Sequence, residues 1–152
     1  RMSSAAPETK PSAGDHPLLQ RLQADCGYPF LTEAALAEFL AQPGEAVLFF
    51  VEEPERYRET LDVAVILPEL VAASTKPFRV GVLLPDVARP LAPRFGLRRW
   101  PALVFLRGGE YLGAIEGLLD WAEFRAETQR LLDVPVSRPP TIGINVAAAE
   151  RS

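Results

Sequence analysis

Apolar positions fall into two rhythms along this chain. Between residues 17 and 133, segments with apolar residues three or four apart alternate with short unbroken apolar runs. Those are the marks of amphipathic helices and of strands buried on both faces. Leu18, Leu19 and Leu22 share one face of a helix predicted over 17–24, with Pro17 suited to its first turn. Tyr28 to Leu31 is a short strand candidate. Thr32 is placed to cap a helix over 33–41, whose Leu36, Phe39 and Leu40 make an apolar stripe ended by Pro43-Gly44. The runs 46–51 and 78–84 read as buried strands, the second closed by Pro85, and 59–73 between them reads as a helix interrupted by Pro68. A short helix is predicted over 87–95, with Gly96 as its stop. Two strands, 102–107 and 110–116, flank Gly108-Gly109, a two-residue hairpin signal. A last amphipathic helix over 119–132 offers Trp121, Phe124, Leu131 and Leu132 to the core.

Helices alternating with buried strands, closed by a hairpin and a helix, predict an α/β sandwich with a mixed sheet covered on both faces. The flanks break the rhythm. Residues 1–16 are rich in Ser, Ala, Pro and Gly without an apolar period and are expected to be disordered. Residues 134–152 carry Pro135, Pro139 and Pro140 before a loose Thr-Ile-Gly-Ile-Asn-Val stretch. They are expected to form a flexible tail, either frayed or docked on a neighbour.

Composition narrows the function more than the fold. The 152 residues carry 16 Lys+Arg against 20 Asp+Glu, a formal charge of −4, which argues against a general nucleic-acid binder. No apolar run has the 18 or more residues of a membrane span. With one cysteine, Cys26, no intramolecular disulfide can form, and the absence of an apolar leader adds to the expectation of a cytoplasmic protein. The inventory supplies no catalytic apparatus. One histidine, His16, lies in the N-terminal flank, so neither a serine nor a cysteine nucleophile has a base. One Cys and one His do not make a zinc site, and Gly108-Gly109 leads into a strand and not into a phosphate-binding helix. No cofactor is expected.

Local words add a resemblance. Phe95 through Phe105, with Arg99-Trp100-Pro101 at its centre, resembles the thioredoxin segment that runs through a cis-proline into the hairpin. Gly108-Gly109-Glu110 resembles that hairpin turn, and Leu67-Pro68-Glu69-Leu70 the kinked second helix. The resemblance implies a thioredoxin-like three-layer α/β/α sandwich over residues 17–133, with Pro101 cis and a C-terminal β-hairpin plus helix. It also implies that the redox-cysteine positions hold Thr60 and Val63, neither of which supplies a thiolate. Asp62 through Leu70, Gly109 through Gly113 and Asp120-Trp121-Ala122-Glu123 are similar to the HyaE/HupG type of hydrogenase expression/formation protein. That family implies a non-catalytic cytoplasmic chaperone in the maturation of a nickel–iron uptake hydrogenase. Its implied partner is the small-subunit precursor with its twin-arginine signal peptide, alongside other accessory proteins, without membrane insertion.

Two features carry the expected partner site. Glu52, Glu53, Glu55, Glu59 and Asp62 place five acids within eleven residues, offset by Arg56 and Arg58. They read either as a solvated loop favouring a helix N-terminus or as an acidic lip for a cationic segment. Trp100-Pro101 reads either as a packed tryptophan at the sheet end or as an anchor beside backbone that pairs with an extended peptide. Arg98 and Arg99 either repel a basic ligand or pair with the acidic loop. Two other functions remain open: a structural adaptor in the assembly complex, and a single-thiol oxidoreductase using Cys26.

Overall fold

A computed structural model of the protein describes residues 12–139. In chain order it contains α1 (Pro17–Ala24), α2 (Glu33–Ala41), β1 (Glu45–Phe50), α3 (Glu59–Ala73), β2 (Arg79–Leu83), α4 (Pro85–Leu91), β3 (Ala102–Arg107), β4 (Glu110–Glu116) and α5 (Trp121–Asp133). The four strands are ordered β2-β1-β3-β4, with β1 parallel to β2 and antiparallel to β3, and β3 antiparallel to β4. This is a mixed α/β sheet in a thioredoxin-like arrangement.

Strand alternation sends side chains to two separate cores. Val47 and Phe49 of β1, Val80 and Val82 of β2, and Leu103 and Phe105 of β3 pack with Leu19, Leu22, Val63, Leu67, Phe124 and Leu131 under α1, α3 and α5. Leu48, Phe50, Leu83, Val104 and Leu106 pack on the opposite face with Leu36 and Phe39 of α2, Ala88 of α4, and Phe95. Phe49, Phe50, Phe105 and Phe124 are fully buried, each contributing about 1.5–3 kcal/mol of hydrophobic stabilisation.

Capping chemistry sets the helix boundaries. Thr32 accepts a hydrogen bond from the Ala35 N–H at 3.1 Å, and Asp120 from the Glu123 N–H at 2.9 Å, with Glu123 returning to the Asp120 N–H. That capping box starts α5 at Trp121, two residues later than the apolar pattern suggests. The expected helix over 87–95 instead begins at Pro85 and changes at Leu91 to a 3₁₀ turn over Ala92–Phe95. Pro90 and Pro93 lack the N–H groups that a continuous α-helix needs. The strand expected over 28–31 is reduced to one bridge between Phe30 and Val82, and Pro29 beside it has no N–H for a ladder.

Two expected flanks are partly ordered. Residues 1–11 lie outside the described residues, but Ala13–Asp15 form a 3₁₀ turn with Ala13 buried. His16, expected in a solvated tail, caps α1: its Nδ1 accepts from the Leu18 N–H at 3.1 Å. At the other flank, the Ser137 N–H donates to the Tyr111 carbonyl at 2.7 Å, so residues 134–139 run against β4. Residues 140–152 lie outside the described residues. Trp121 is a further correction, since its side chain is exposed while Phe124 takes the core position.

Candidate partner-binding site

Strand register brings the two sequence-predicted features to one end of the sheet. Leu83, Phe50, Ala102 and Glu116 lie side by side across β2, β1, β3 and β4. Beyond that line stand the loop after β1, the start of α3, the segment leading into β3, and the turn after β4. Trp100-Pro101 is a cis peptide bond. The Pro101 carbonyl accepts from the Gly117 N–H at 2.7 Å. The Arg98 and Arg99 N–H groups both donate to Glu116 Oε1, at 2.8 and 2.9 Å. The backbone N–H and C=O of Trp100 have no partner among the described residues. Its indole is half-buried, 6.3 Å from the Phe50 ring, so one side packs on the core and the other meets solvent.

The five acids do not act alike. Glu52 is buried, and its carboxylate is gripped by Arg89 of α4: Nε donates to Oε2 at 2.6 Å and Nη2 donates to Oε1. Its Oε1 also accepts the Glu53 N–H at 2.9 Å. Burial opposes ionisation of Glu52, but the Arg89 hydrogen bonds, the Glu53 N–H and the charges of Arg89 and Arg56 outweigh it and hold the carboxyl below its ordinary value. Glu52 is therefore a structural anion and is corrected out of the acidic lip. Glu53 lies 3.9 Å from Arg89, with a partly exposed side chain. Glu55, Glu59 and Asp62 are exposed. Glu59 and Asp62 occupy the first turn of α3, which has no side-chain cap, and both favour its positive N-terminus.

Arg98 and Arg99 are exposed, and among the described residues neither guanidinium lies within ion-pair distance of a carboxylate. Of the two alternatives the sequence leaves open for them, pairing with the acidic loop is not found among the described residues. The end of the sheet thus carries surplus charges of both signs around the Trp100-Pro101 step.

Thr60 and Val63, which the thioredoxin resemblance implies stand at the redox-cysteine positions, are both buried. Thr60 is fully buried, with Oγ1 lacking a hydrogen-bond partner among the described residues, and Val63 is 1% exposed. Cys26 is half-buried on the seam between α1 and α3, beside Leu22, Val65 and Pro68. It lies about two helical turns along α3 from Thr60. Among the described residues no group of three His, Cys, Asp or Glu side chains could hold a metal ion, and no helix is long and apolar enough to cross a membrane.

Sequence reasoning missed two residues that shape this end. Arg89 and Glu116 lie 37 and 18 positions from the groups they bind, and neither carries a local motif. Only the register of β1, β2 and β4 brings them there.

Comparison with known proteins agrees with this geometry. A family model described as hydrogenase-1 expression protein HyaE matches residues 18–124. The hydrogenase expression/formation protein HoxO of Cupriavidus necator is 42% identical over 135 residues, covering 88% of this chain and 84% of that protein. HupG of Rhodobacter capsulatus is 37% identical over 128 residues, covering 83% of this chain and 93% of that protein. Among solved structures, a thioredoxin from Halobacterium salinarum superposes with a TM-score of 0.56 at 17% identity, over 71% of this chain and 92% of that one, a likeness of fold alone. With a family model matched over residues 18–124 and relatives 37–42% identical along most of their length, the chain belongs to the HyaE family of hydrogenase expression/formation proteins.

Proposed function

We propose that this chain is a non-catalytic cytoplasmic chaperone that binds the small-subunit precursor of a nickel–iron uptake hydrogenase through its twin-arginine signal peptide. The observation that carries this reading is the open backbone of Trp100, beside Pro101 and at the same end as Glu53, Glu55, Glu59 and Asp62. An extended peptide gains main-chain hydrogen bonds at Trp100 and an aromatic contact from its exposed indole face. Exposed carboxylates draw in a paired-arginine segment and give bidentate contacts that set its register. No bond is made or broken, and Cys26 takes no part.

The test is binding of the full chain to the precursor with and without its signal peptide. Binding that disappears with the peptide supports this reading. Charge reversal at Glu53, Glu55 and Glu59 should lower the on-rate about tenfold or more at low salt, and progressively less as salt screens the loop. An unchanged on-rate at low salt removes the acidic loop from the mechanism. Glu52 is left intact because its carboxylate belongs to the Arg89 ion pair.

A second reading is favoured by the unpaired Arg98 and Arg99, which suit an acidic partner better than a basic peptide. In that case the chain is an adaptor within the assembly complex, and its binding survives deletion of the signal peptide. The thiol-oxidoreductase alternative predicts rapid, pH-dependent alkylation of Cys26 in the folded chain, against slow labelling for a half-buried thiol.

A further inference from the structure

Helix α5 pairs its charges, with one exception. Glu123 completes the cap at Asp120, Glu127 pairs with Arg130 at 2.9 Å, and Asp133 lies 3.6 Å from Lys76. Arg125 is exposed, and among the described residues no carboxylate lies within ion-pair distance of it. One turn before it, Trp121 is 41% exposed, and it is the one exposed aromatic side chain among the described residues. Tryptophan is ordinarily well covered. Positions four apart stand on the same helix face, so Trp121 and Arg125 are neighbours. Leu118, three residues earlier, is also exposed, which continues the apolar surface past the start of the helix.

Trp121 and Arg125 line a depression of about 410 Å³ between α5 and the last turn of α3. Its rim is kept low by small side chains, Ala73, Ala122 and Ala126, and beneath them Leu70 and Thr128 are buried. Other polar groups along it are already satisfied: Thr75 Oγ1 donates to Gln129 Oε1 at 2.9 Å, and Gln129 Nε2 donates to Asp133. Thr128 Oγ1 is the exception, with no partner among the described residues. A helical threonine populates two χ1 rotamers, so this hydroxyl can exchange places with its methyl group. Thr128 is three residues from Arg125, again on one face. An unpaired cation and an unpaired hydroxyl therefore border the same apolar hollow.

We propose that this depression docks an acidic segment of a partner protein. A carboxylate of the segment binds Arg125 and the Thr128 hydroxyl, and a neighbouring apolar side chain enters between Trp121 and Leu70. Charge complementarity selects the occupant. Arg125 is the one charged residue lining the hollow, so a cationic segment meets repulsion there and a neutral one leaves the guanidinium unpaired. A guanidinium takes a carboxylate bidentately, and an indole at the rim supplies the broad contact typical of binding hot spots. Exposed Leu118 and Trp121 extend the apolar surface beyond the hollow, which suits a polypeptide and not a small molecule. The site is separate from the Trp100 end of the sheet. Glu59 and Asp62 of that end stand on the first turn of α3, whereas the depression meets its last turn, and Asp62 to Ala73 spans about 16 Å of helix. A partner held here leaves the Trp100 end free for another.

The experiment titrates the isotope-labelled full chain with end-capped peptides Gly-Leu-Asp-Phe-Gly, Gly-Leu-Asn-Phe-Gly and Gly-Leu-Lys-Phe-Gly at millimolar concentration, read by amide and indole NMR signals. The aspartate peptide is expected to shift the Trp121 indole and the Arg125 and Ser74 amides saturably. It should bind about fivefold or more tighter than the asparagine peptide. The lysine peptide should leave these signals in place, and the Trp100 indole should not move with any of the three. Arg125→Gln should bring the aspartate peptide down to the affinity of the asparagine peptide. Thr128→Val should weaken it about threefold without lowering the urea midpoint, since a hydroxyl unpaired in the free chain contributes nothing to folding. Equal binding of the three peptides, shifts centred on Trp100, or no saturable shift overturns the proposal. So does an Arg125→Gln chain that binds the aspartate peptide as tightly as the parent, with its β1 and β3 signals unmoved.

Discussion

The two ends of the central sheet are both rich in charge and use it in opposite ways. Where β1 begins and β3 ends, Glu45 pairs with Arg107 at 2.9 Å and with Lys76 at 3.8 Å. Arg107 and Lys76 also donate to carbonyls of the last turn of α5, Lys76 reaching the Leu132 carbonyl at 2.9 Å. Cations placed on helix C-terminal carbonyls satisfy acceptors that the helix leaves open. At the other end Glu52 and Glu116 are treated this way, by Arg89 and by the Arg98 and Arg99 N–H groups, while Glu55, Glu59, Asp62 and the side chains of Arg98 and Arg99 stay exposed. Charge that is spent internally holds the fold together. Of the charge left exposed at the other end, Glu59 and Asp62 favour the start of α3. Glu55, Arg98 and Arg99 make no ion pair among the described residues and stand at the same end as backbone that is also unpartnered.

Mutations can break this contrast. The largest effect is expected at the structural end: Arg107→Ala removes the Glu45 pair and two carbonyl contacts, and should cost about 3 kcal/mol in urea denaturation. Precursor binding measured well below the melting point should not change. Arg89→Ala is next, at about 2 kcal/mol, because it strands the buried Glu52 carboxylate. Its cost should shrink in acid. Arg107 hydrogen bonding, against some burial, holds the Glu45 carboxyl below its ordinary value of 4.5, and Glu52 is also lowered from 4.5. Between those folded values and 4.5 the unfolded chain binds more protons. The stabilisation is therefore present above that range and is lost as pH falls through the folded values. Without Arg89, burial dominates at Glu52 and favours its protonated form, so the variant's deficit should narrow below pH 4.5 in urea titrations at stepped pH.

A smaller change of opposite sign sharpens the comparison. Thr60→Val replaces a buried hydroxyl without a partner by a methyl, and should stabilise the chain by about 1 kcal/mol in the same measurement. A destabilisation of that size would mean the hydroxyl is satisfied in solution. The smallest effect is expected at the surplus acids: Glu55→Lys should move stability by no more than about 0.5 kcal/mol while slowing precursor association.

Much of the architecture was legible in the chain because its signals are local. The cap at Thr32, the hairpin glycines and the unbroken apolar runs act within a few residues of themselves, so α1, α2, α3 and β3 appear with the bounds their patterns suggest. Trp121 was misread because a helical stripe does not tell its first residue, still at the exposed helix start, from the next turn, where Phe124 enters the core. The candidate site was half legible. The acids and the Trp100-Pro101 step announce themselves, but nothing near Glu52 marks it as the member already neutralised.

By itself the sequence determined most of the element types and the acidic stretch after β1. These follow from backbone preference and side-chain chemistry at each position. Only the tertiary structure decided which charges are spent. The bulge near Leu112 makes the same point for packing. Phe105 pairs with Gly113 but Leu106 pairs with Tyr111, so Leu112 and Ile115, three apart, reach the same core, while Tyr111 and Ala114 reach the other. A period-two reading of β4 puts Leu112 and Ile115 on opposite faces. Register between strands is a property of the pairing, and an ion pair spanning 37 residues, such as Glu52–Arg89, exists only once the register has brought its partners together.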